Sequence, residues 1–144
     1  MRLRIVRGQS RNSGSRGPTW AHVEWAGRAG HPSSYGLLGG TRADKPGVRV
    51  QPSGAKFRDS LASRADDVRW GLEPEYESAI LDALESQPQG VLVSTAAHGA
   101  IGSSPYVFAR LATFLCRILS TDVPVEDSEV WRLFDQVWSD SSPR

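Results

Sequence analysis

Several features that define common classes of protein are scarce or absent in this sequence. It has one cysteine, Cys116, which excludes an internal disulfide and a cysteine-rich metal site. It has no run of about 18 apolar residues, so no transmembrane helix is predicted. Its basic N-terminus lacks the apolar segment of a secretory signal. We therefore expect a cytoplasmic protein without membrane contact, in which Cys116 is a buried, inert thiol.

The motifs of several enzyme classes are also missing. There is no phosphate-binding P-loop, no dinucleotide-binding glycine fingerprint after a strand, no HExxH and no CxxC pair. His22, His31 and His98 are too scattered to predict a metal site, and no cofactor is expected. A hydrolase using Ser103 and His98 stays open as an alternative, but the sequence has no G-x-S-x-G turn and no carboxylate placed to orient the histidine. We predict that the protein is not an enzyme.

Acidic residues are missing from the first 18 positions, which contain several arginines, although the net charge of the chain is only +1. Lysine is scarce, at Lys45 and Lys56 only. Arginine binds phosphate as a bidentate fork and stacks on bases, so this end of the chain favours a polyanionic partner. A GC-rich genome would give the same arginine bias, and that alternative stays open.

Hydrophobic periodicity predicts one α+β domain over residues 1–144, a mixed sheet with helices packed on one face. Strands are expected at residues 3–7, 21–25 and 90–95, with short candidates inside 48–61 and 66–72. Residues 28–46 are rich in Gly, Pro and Ser, which is typical of an irregular insertion. We expect a third, acidic helix within residues 124–140, over 127–138.

The first two predicted helices have clear start signals. Pro74–Glu85 begins with a proline in its first turn and carries acids near its N-terminus. Pro105–Leu119 has Ser104 as its N-cap and a proline at its first position. Just before it, His98 and Gly99 are predicted to lie on an exposed, glycine-bounded turn, where His98 is either a plain surface residue or a functional contact.

Three stretches of the chain share an order of motifs with one family. They include "GLEPEYESAILDALES" and "VLVSTAAHGAIGSSPYVFARLA". The matching positions are Pro74, Glu75, Tyr76 and Ala79 in the first helix, Ser103, Ser104, Phe108 and Ala112 in the second, and Gln9, Ser13, Gly14, Ser15, Trp20, Ala21, His22 and Val23 in an N-terminal hairpin. Residues 1–119 thus resemble domain IV of translation elongation factor G and of the related ribosomal protection proteins.

The resemblance implies the ribosomal protein S5 domain 2-like fold. In that family, the loop tips of this domain reach the decoding region and the tRNA–mRNA duplex. By analogy, the N-terminal loop and the turn at His98 would lie together at one end of the sheet, with arginines on phosphates and glycines letting the backbone approach. The RNA-binding residues implied in this way are Arg11, Asn12, Ser13, Gly14, Ser15, Arg16, His98 and Gly99.

Two functions follow as hypotheses. The first is a small non-enzymatic RNA- or ribosome-binding module that lacks a GTPase domain, with ribosomal RNA or tRNA as its partner. The alternative is a protein-interaction or structural module of the same fold, which binds an unidentified protein and no RNA.

Overall fold

A computed structural model of the chain describes residues 2–9, 17–27, 34–62, 64–120 and 126–139. Within these ranges the chain is an α+β protein with one mixed sheet and three helices, as the sequence predicted. The elements in chain order are β1 (Arg2–Gly8), β2 (Trp20–Ala26), β3 (Tyr35–Arg42), β4 (Gly47–Val48), β5 (Val68–Trp70), α1 (Pro74–Glu85), β6 (Val91–Gly99), α2 (Pro105–Leu119) and α3 (Asp127–Ser139). None of the helices in these ranges is long and apolar enough to cross a bilayer.

The strands follow the order β1-β2-β3-β6-β4, and β5 also pairs with β6. The first three strands form an antiparallel meander, and β6 runs antiparallel to β3. The opposite edge of β6 is shared: β4 pairs in parallel with Leu92 and Val93, and β5 pairs antiparallel with residues 97–99. The start and the end of β6 therefore lie at opposite ends of the sheet.

One hydrophobic core joins the three helices to the sheet. Because side chains alternate along a strand, β2 contributes Val23 and Trp25 to this core while Glu24 lies on the other face. Helix α2 lies at the centre of the core, where Phe108, Leu111 and most of its other apolar side chains are buried. Ser104 caps α2 as predicted, its hydroxyl accepting a hydrogen bond from the N–H of Val107 at 3.2 Å. Cys116 is buried in this core, as expected.

The prediction of an irregular insertion over residues 28–46 is wrong, since β3 is a central strand. The glycines of β3 prevented the prediction of a strand from the sequence, because glycine is depleted in ordinary strands. The reason for them is close packing: a Cβ at Gly36 would lie 2.5 Å from a methyl carbon of Leu111, and one at Gly40 would lie 2.6 Å from the carbonyl oxygen of Leu92. The part of the insertion over residues 28–33 lies outside the described residues.

The face of the sheet away from the helices is partly covered by the segment between β4 and β5, which the structure describes over residues 49–62 and 64–67. Phe57 from this loop stacks on Trp70 with ring centroids 4.3 Å apart, and both pack on a second apolar cluster of the sheet. The strand predicted inside 48–61 is largely wrong: beyond the end of β4, this stretch makes only an isolated bridge between Lys56 and Arg69. The short strand predicted inside 66–72 is present as β5.

Candidate nucleic-acid interface

His98 and Gly99 lie at the end of a strand, which corrects the prediction of an exposed turn. Strand β6 extends beyond the predicted residue 95 because β5 supplies a partner for it, pairing Arg69 with His98 and Val68 with Gly99. The side chain of His98 is only 16% exposed. The turn itself follows, at residues 100–102.

The imidazole of His98 is held between two elements. Its Nδ1 lies 2.8 Å from the carbonyl oxygen of Gly71, so Nδ1–H donates to that oxygen. Its Nε2 lies 3.5 Å from the carboxylate of Glu73, the N-cap residue of α1. The ring also contacts that of Tyr76, with centroids 5.8 Å apart. His98 therefore fixes the start of α1 against the end of β6, a positioning role in which little of the ring faces solvent.

Gly99 provides space for a carboxylate that sequence reasoning missed. A Cβ at Gly99 would overlap the side chain of Asp66. Asp66 accepts hydrogen bonds from the N–H groups of Ile101 and Gly102, each at 2.9 Å, and so holds the turn between β6 and α2. Gly99 before this turn and Gly102 at its end were the available signal, but nothing in the sequence connects them to a residue more than 30 positions earlier.

Ser103 is engaged in the backbone of the same turn. Its hydroxyl oxygen accepts from the N–H of Gly99 at 2.9 Å and its O–H donates to the carbonyl oxygen of Tyr35 at 2.7 Å. The N–H of Tyr35 in turn donates to the carbonyl oxygen of Gly102 at 2.9 Å. The proton that a nucleophilic serine would give to His98 is therefore directed at a carbonyl. That the protein is not an enzyme stays a prediction.

The other predicted contact residues, Arg11, Asn12, Ser13, Gly14, Ser15 and Arg16, lie outside the described residues. The residues on either side of this segment, Gln9 and Gly17, lie close together, because the side-chain amide of Gln9 donates to the carbonyl oxygen of Gly17 at 2.9 Å. The strand register places Gln9 and Gly17 at one end of the sheet, through the pairs Gly8 with Trp20, Trp20 with Thr41, and Thr41 with Leu92.

The N-terminal loop and the turn at His98 were expected to lie together at one end of the sheet, but the register separates the residues that flank the loop from His98. His98 lies six residues further along β6 than Leu92, a distance of about 20 Å at roughly 3.3 Å per residue. The physical reason is the chain direction. A hairpin loop follows β1, whereas β6 runs antiparallel to β3 and finishes where β3 begins. The residues that flank the N-terminal loop therefore lie at one end of the sheet, and His98 and Gly99 lie at the other.

A buried carboxylate organises the loop-covered face. Glu24 is 2% exposed and is the buried charged residue among those described. Its oxygens accept from the Nε–H of Arg4 at 2.9 Å, the hydroxyl of Tyr35 at 2.7 Å and the N–H of Leu61 at 2.8 Å. Burial, and next the bond to Glu24, raise the pKa of Tyr35 well above its usual range. The acid in the middle of "WAHVEWA" signalled this site, because a strand buried on both faces rarely carries an unpaired charge.

Charge is divided between the sheet with its loops and the helices. The described sheet and loops carry the basic residues Arg2, Arg4, Arg7, Arg42, Lys45, Arg49, Lys56, Arg58, Arg64 and Arg69 and the acids Glu24, Asp44, Asp59, Asp66 and Asp67. The helices and their caps carry the acids Glu73, Glu75, Glu77, Asp82, Glu85, Glu126, Asp127, Glu129 and Asp135 and the basic residues Arg110, Arg117 and Arg132. The small net charge of the chain therefore conceals a basic layer beside an acidic one.

Comparison with known proteins does not assign a family. No protein-family model, curated protein or solved structure matches the chain.

Proposed function

We propose that this protein is a small, non-enzymatic module that binds RNA, free or within the ribosome. The observation that carries the proposal is the division of charge between a basic layer of strands and loops and an acidic layer of helices. The resemblance to domain IV of elongation factor G points to the same class of partner. The order of strands and helices is compatible with the S5 domain 2-like fold that the resemblance implies.

The basic layer attracts polyanions despite the small net charge of the chain. Packed layers of a domain lie about 10 Å apart, whereas charges at physiological ionic strength are screened over about 8 Å. A phosphate at the loop-covered face therefore interacts mainly with the cations of the sheet and loops. The acidic helices repel a polyanion that approaches from the other side, so the division of charge also orients the partner.

Arginine predominates in the basic layer, where lysine occurs only at Lys45 and Lys56. A guanidinium group binds phosphate through two parallel hydrogen bonds and stacks on bases, which an ammonium group does not do. This composition favours RNA over a partner that offers only diffuse negative charge.

Binding to RNA at two salt concentrations tests the proposal. Filter binding or ribosome co-sedimentation should weaken steeply with salt, with a log–log slope of about −0.7 for each phosphate contact on single-stranded RNA. Arg11→Glu with Arg16→Glu should weaken binding strongly. Arg117→Glu with Arg132→Glu changes the charge equally on the acidic layer and should have a small effect. A wild-type protein that shows no salt-sensitive association at low salt would refute the proposal.

We expect the purified protein not to hydrolyse a generic ester, because the contacts of Ser103 leave it without the base that a nucleophile needs. Ester hydrolysis that is lost in both the His98→Ala and the Ser103→Ala variants would contradict the non-enzymatic part of the proposal.

The alternative function, binding of a protein partner, has one observation in its favour. Ile101 and Tyr106 flank the start of α2 in the sequence and are each 56% exposed, and exposed apolar side chains are available to contact a partner. Apolar association would persist at high salt and after RNase treatment, and the double variant Ile101→Ser with Tyr106→Ser would abolish it. RNA binding would instead be unaffected by that variant.

A further inference from the structure

A cleft of about 720 Å³ opens on the loop-covered face of the sheet, and four of its nine lining residues are basic. Arg2 comes from β1, and Lys56, Arg58 and Arg64 come from the loop over residues 49–67. Asp66 is the acidic residue of the lining. The cleft thus collects four basic side chains from two segments that are more than 50 positions apart in sequence.

The positive charge of the cleft is poorly compensated within the protein. Four basic side chains face one carboxylate in the lining, that of Asp66, which also accepts hydrogen bonds from two amide groups of the turn that follows β6. In the part of the chain that the structure describes, no carboxylate pairs with Lys56, Arg58 or Arg64. Like charges held close together repel one another, so an anion that enters the cleft relieves repulsion as well as gaining attraction.

The loop that carries these cations is attached to the sheet at Asp59 and Leu61. The guanidinium of Arg4 donates to the carbonyl oxygen of Asp59 at 3.0 Å, and that of Arg2 donates to the carbonyl oxygen of Leu61. The N–H of Leu61 is bound by the buried Glu24 at 2.8 Å. A preorganised loop loses less conformational entropy on binding than a free one, which is what a recognition site requires.

We propose that this cleft is a phosphate-binding site for a single-stranded RNA segment, additional to the N-terminal loop, with Arg58 and Arg64 contacting neighbouring phosphates. The inference rests on the proposed function and deepens it, because it places the contacts at a site that sequence reasoning did not find. Phe57 also lines the cleft and stacks on Trp70. An aromatic ring beside a row of cations provides a surface for a base next to groups for its phosphates.

Two features favour RNA over other phosphate-bearing partners. The number of cations exceeds what one phosphorylated side chain needs, so successive phosphates fit better than a phosphopeptide. The cleft is concave, whereas a membrane surface requires its cations on a flat or convex face.

The cleft lies at a defined end of the sheet. Asp66 lies directly over Gly99, so the cleft is at the end of the sheet opposite Gln9 and Gly17, the residues on either side of the N-terminal loop.

A matched pair of double variants tests the site. The probe is a fluorescein-labelled 12-nucleotide oligouridylate, with binding followed by anisotropy at 50 and 200 mM KCl. Arg58→Glu with Arg64→Glu should weaken binding at least tenfold at the lower salt and should reduce the slope of log K against log salt by about 1.4, for two lost contacts. Lys45→Glu with Arg49→Glu changes the charge equally near β4 and should change affinity less than threefold. Thermal melting should be unchanged in both.

A third variant separates stacking from charge. Phe57→Leu keeps the apolar packing on the sheet but removes the ring, so affinity should fall about fivefold or more, as expected for one lost stacked base, with the salt slope unchanged.

The outcomes distinguish the inference from the function on which it rests. If the wild type binds the oligonucleotide and the Arg58→Glu, Arg64→Glu variant binds equally well, the cleft is not the site and the proposed function stands. Equal losses of affinity in both double variants would refute the proposal that RNA binds specifically at the cleft. A wild type that binds no RNA refutes both. Stronger binding to vesicles containing 20% phosphatidylserine than to RNA, lost in the cleft variant, would assign the site to a membrane and overturn the inference.

Discussion

Replacing Glu24 by alanine tests whether one buried carboxylate holds the loop that carries the basic cleft. Glu24 accepts hydrogen bonds from the hydroxyl of Tyr35, the N–H of Leu61 and the guanidinium of Arg4. It thereby joins β1, β2 and β3 to the loop over residues 49–67. Alanine removes all of these bonds and leaves their donors without an acceptor.

The expected loss of stability can be worked out donor by donor. Tyr35 is 1% exposed, so its hydroxyl cannot turn to water, and an unsatisfied buried donor costs about 1–3 kcal/mol. The N–H of Leu61 is only half-buried and adds about 1 kcal/mol. The side chain of Arg4 is 47% exposed and regains water, so it adds nothing to the sum. The free energy of unfolding of Glu24→Ala should therefore fall by about 2–4 kcal/mol.

Urea unfolding followed by circular dichroism measures this loss. Glu85→Ala is the control, because Glu85 is exposed at the end of α1 and its removal should change stability by less than about 0.5 kcal/mol. Tyr35→Phe should cost less in the Glu24→Ala background than in the wild type, by at least about 0.5 kcal/mol, since the two residues share a bond. Trypsin should cleave after Arg58 faster in Glu24→Ala. A loss below about 1 kcal/mol, or additive effects of the two substitutions, would refute the reasoning.

Three other predictions follow from the same contacts. Ser104→Ala should lower stability by about 0.5–2 kcal/mol in thermal melting, the usual loss of an N-cap, whereas an unchanged melt would mean that the cap is not formed. Gly99→Ala should cost about 1–3 kcal/mol, because it displaces Asp66 from the turn amides; it should cost less in an Asp66→Ala background, where those bonds are already lost, and equal costs in the two backgrounds would contradict this cause. Burial raises the pKa of Cys116 from 9.0 to about 12, so the native thiol should resist Ellman's reagent at pH 8 and react once guanidinium unfolds the chain. The stability that this group contributes is complete below pH 9 and is lost as pH rises towards 12, by at most about 1.4 kcal/mol per pH unit, so Cys116→Ala should show a shallower alkaline decline.

The helices were determined by the sequence itself. Ser104 and a following proline mark the start of α2, and the apolar residues that recur every three to four positions mark its buried stripe. These signals are local, because the groups that form a helix and its cap lie within a few residues of each other. The same holds for β1 and β2, whose alternation is visible in a short window.

Strand β3 and the candidate site were decided by tertiary structure. Gly36 lies in a central strand at a place where Leu111, far along the chain, occupies the space that a side chain would need. His98 extends a strand instead of lying on a turn because β5 pairs with it.

The basic cleft shows the same limit for function. Three of its four cations lie within residues 56–64 and Arg2 comes from β1, so no sequence motif marks the site, and Glu24 holds the loop to the sheet by binding Leu61. Residue types and local spacing specify what a side chain can do. Which side chains meet depends on strand register and loop attachment, and these arise from contacts between residues that are remote in sequence.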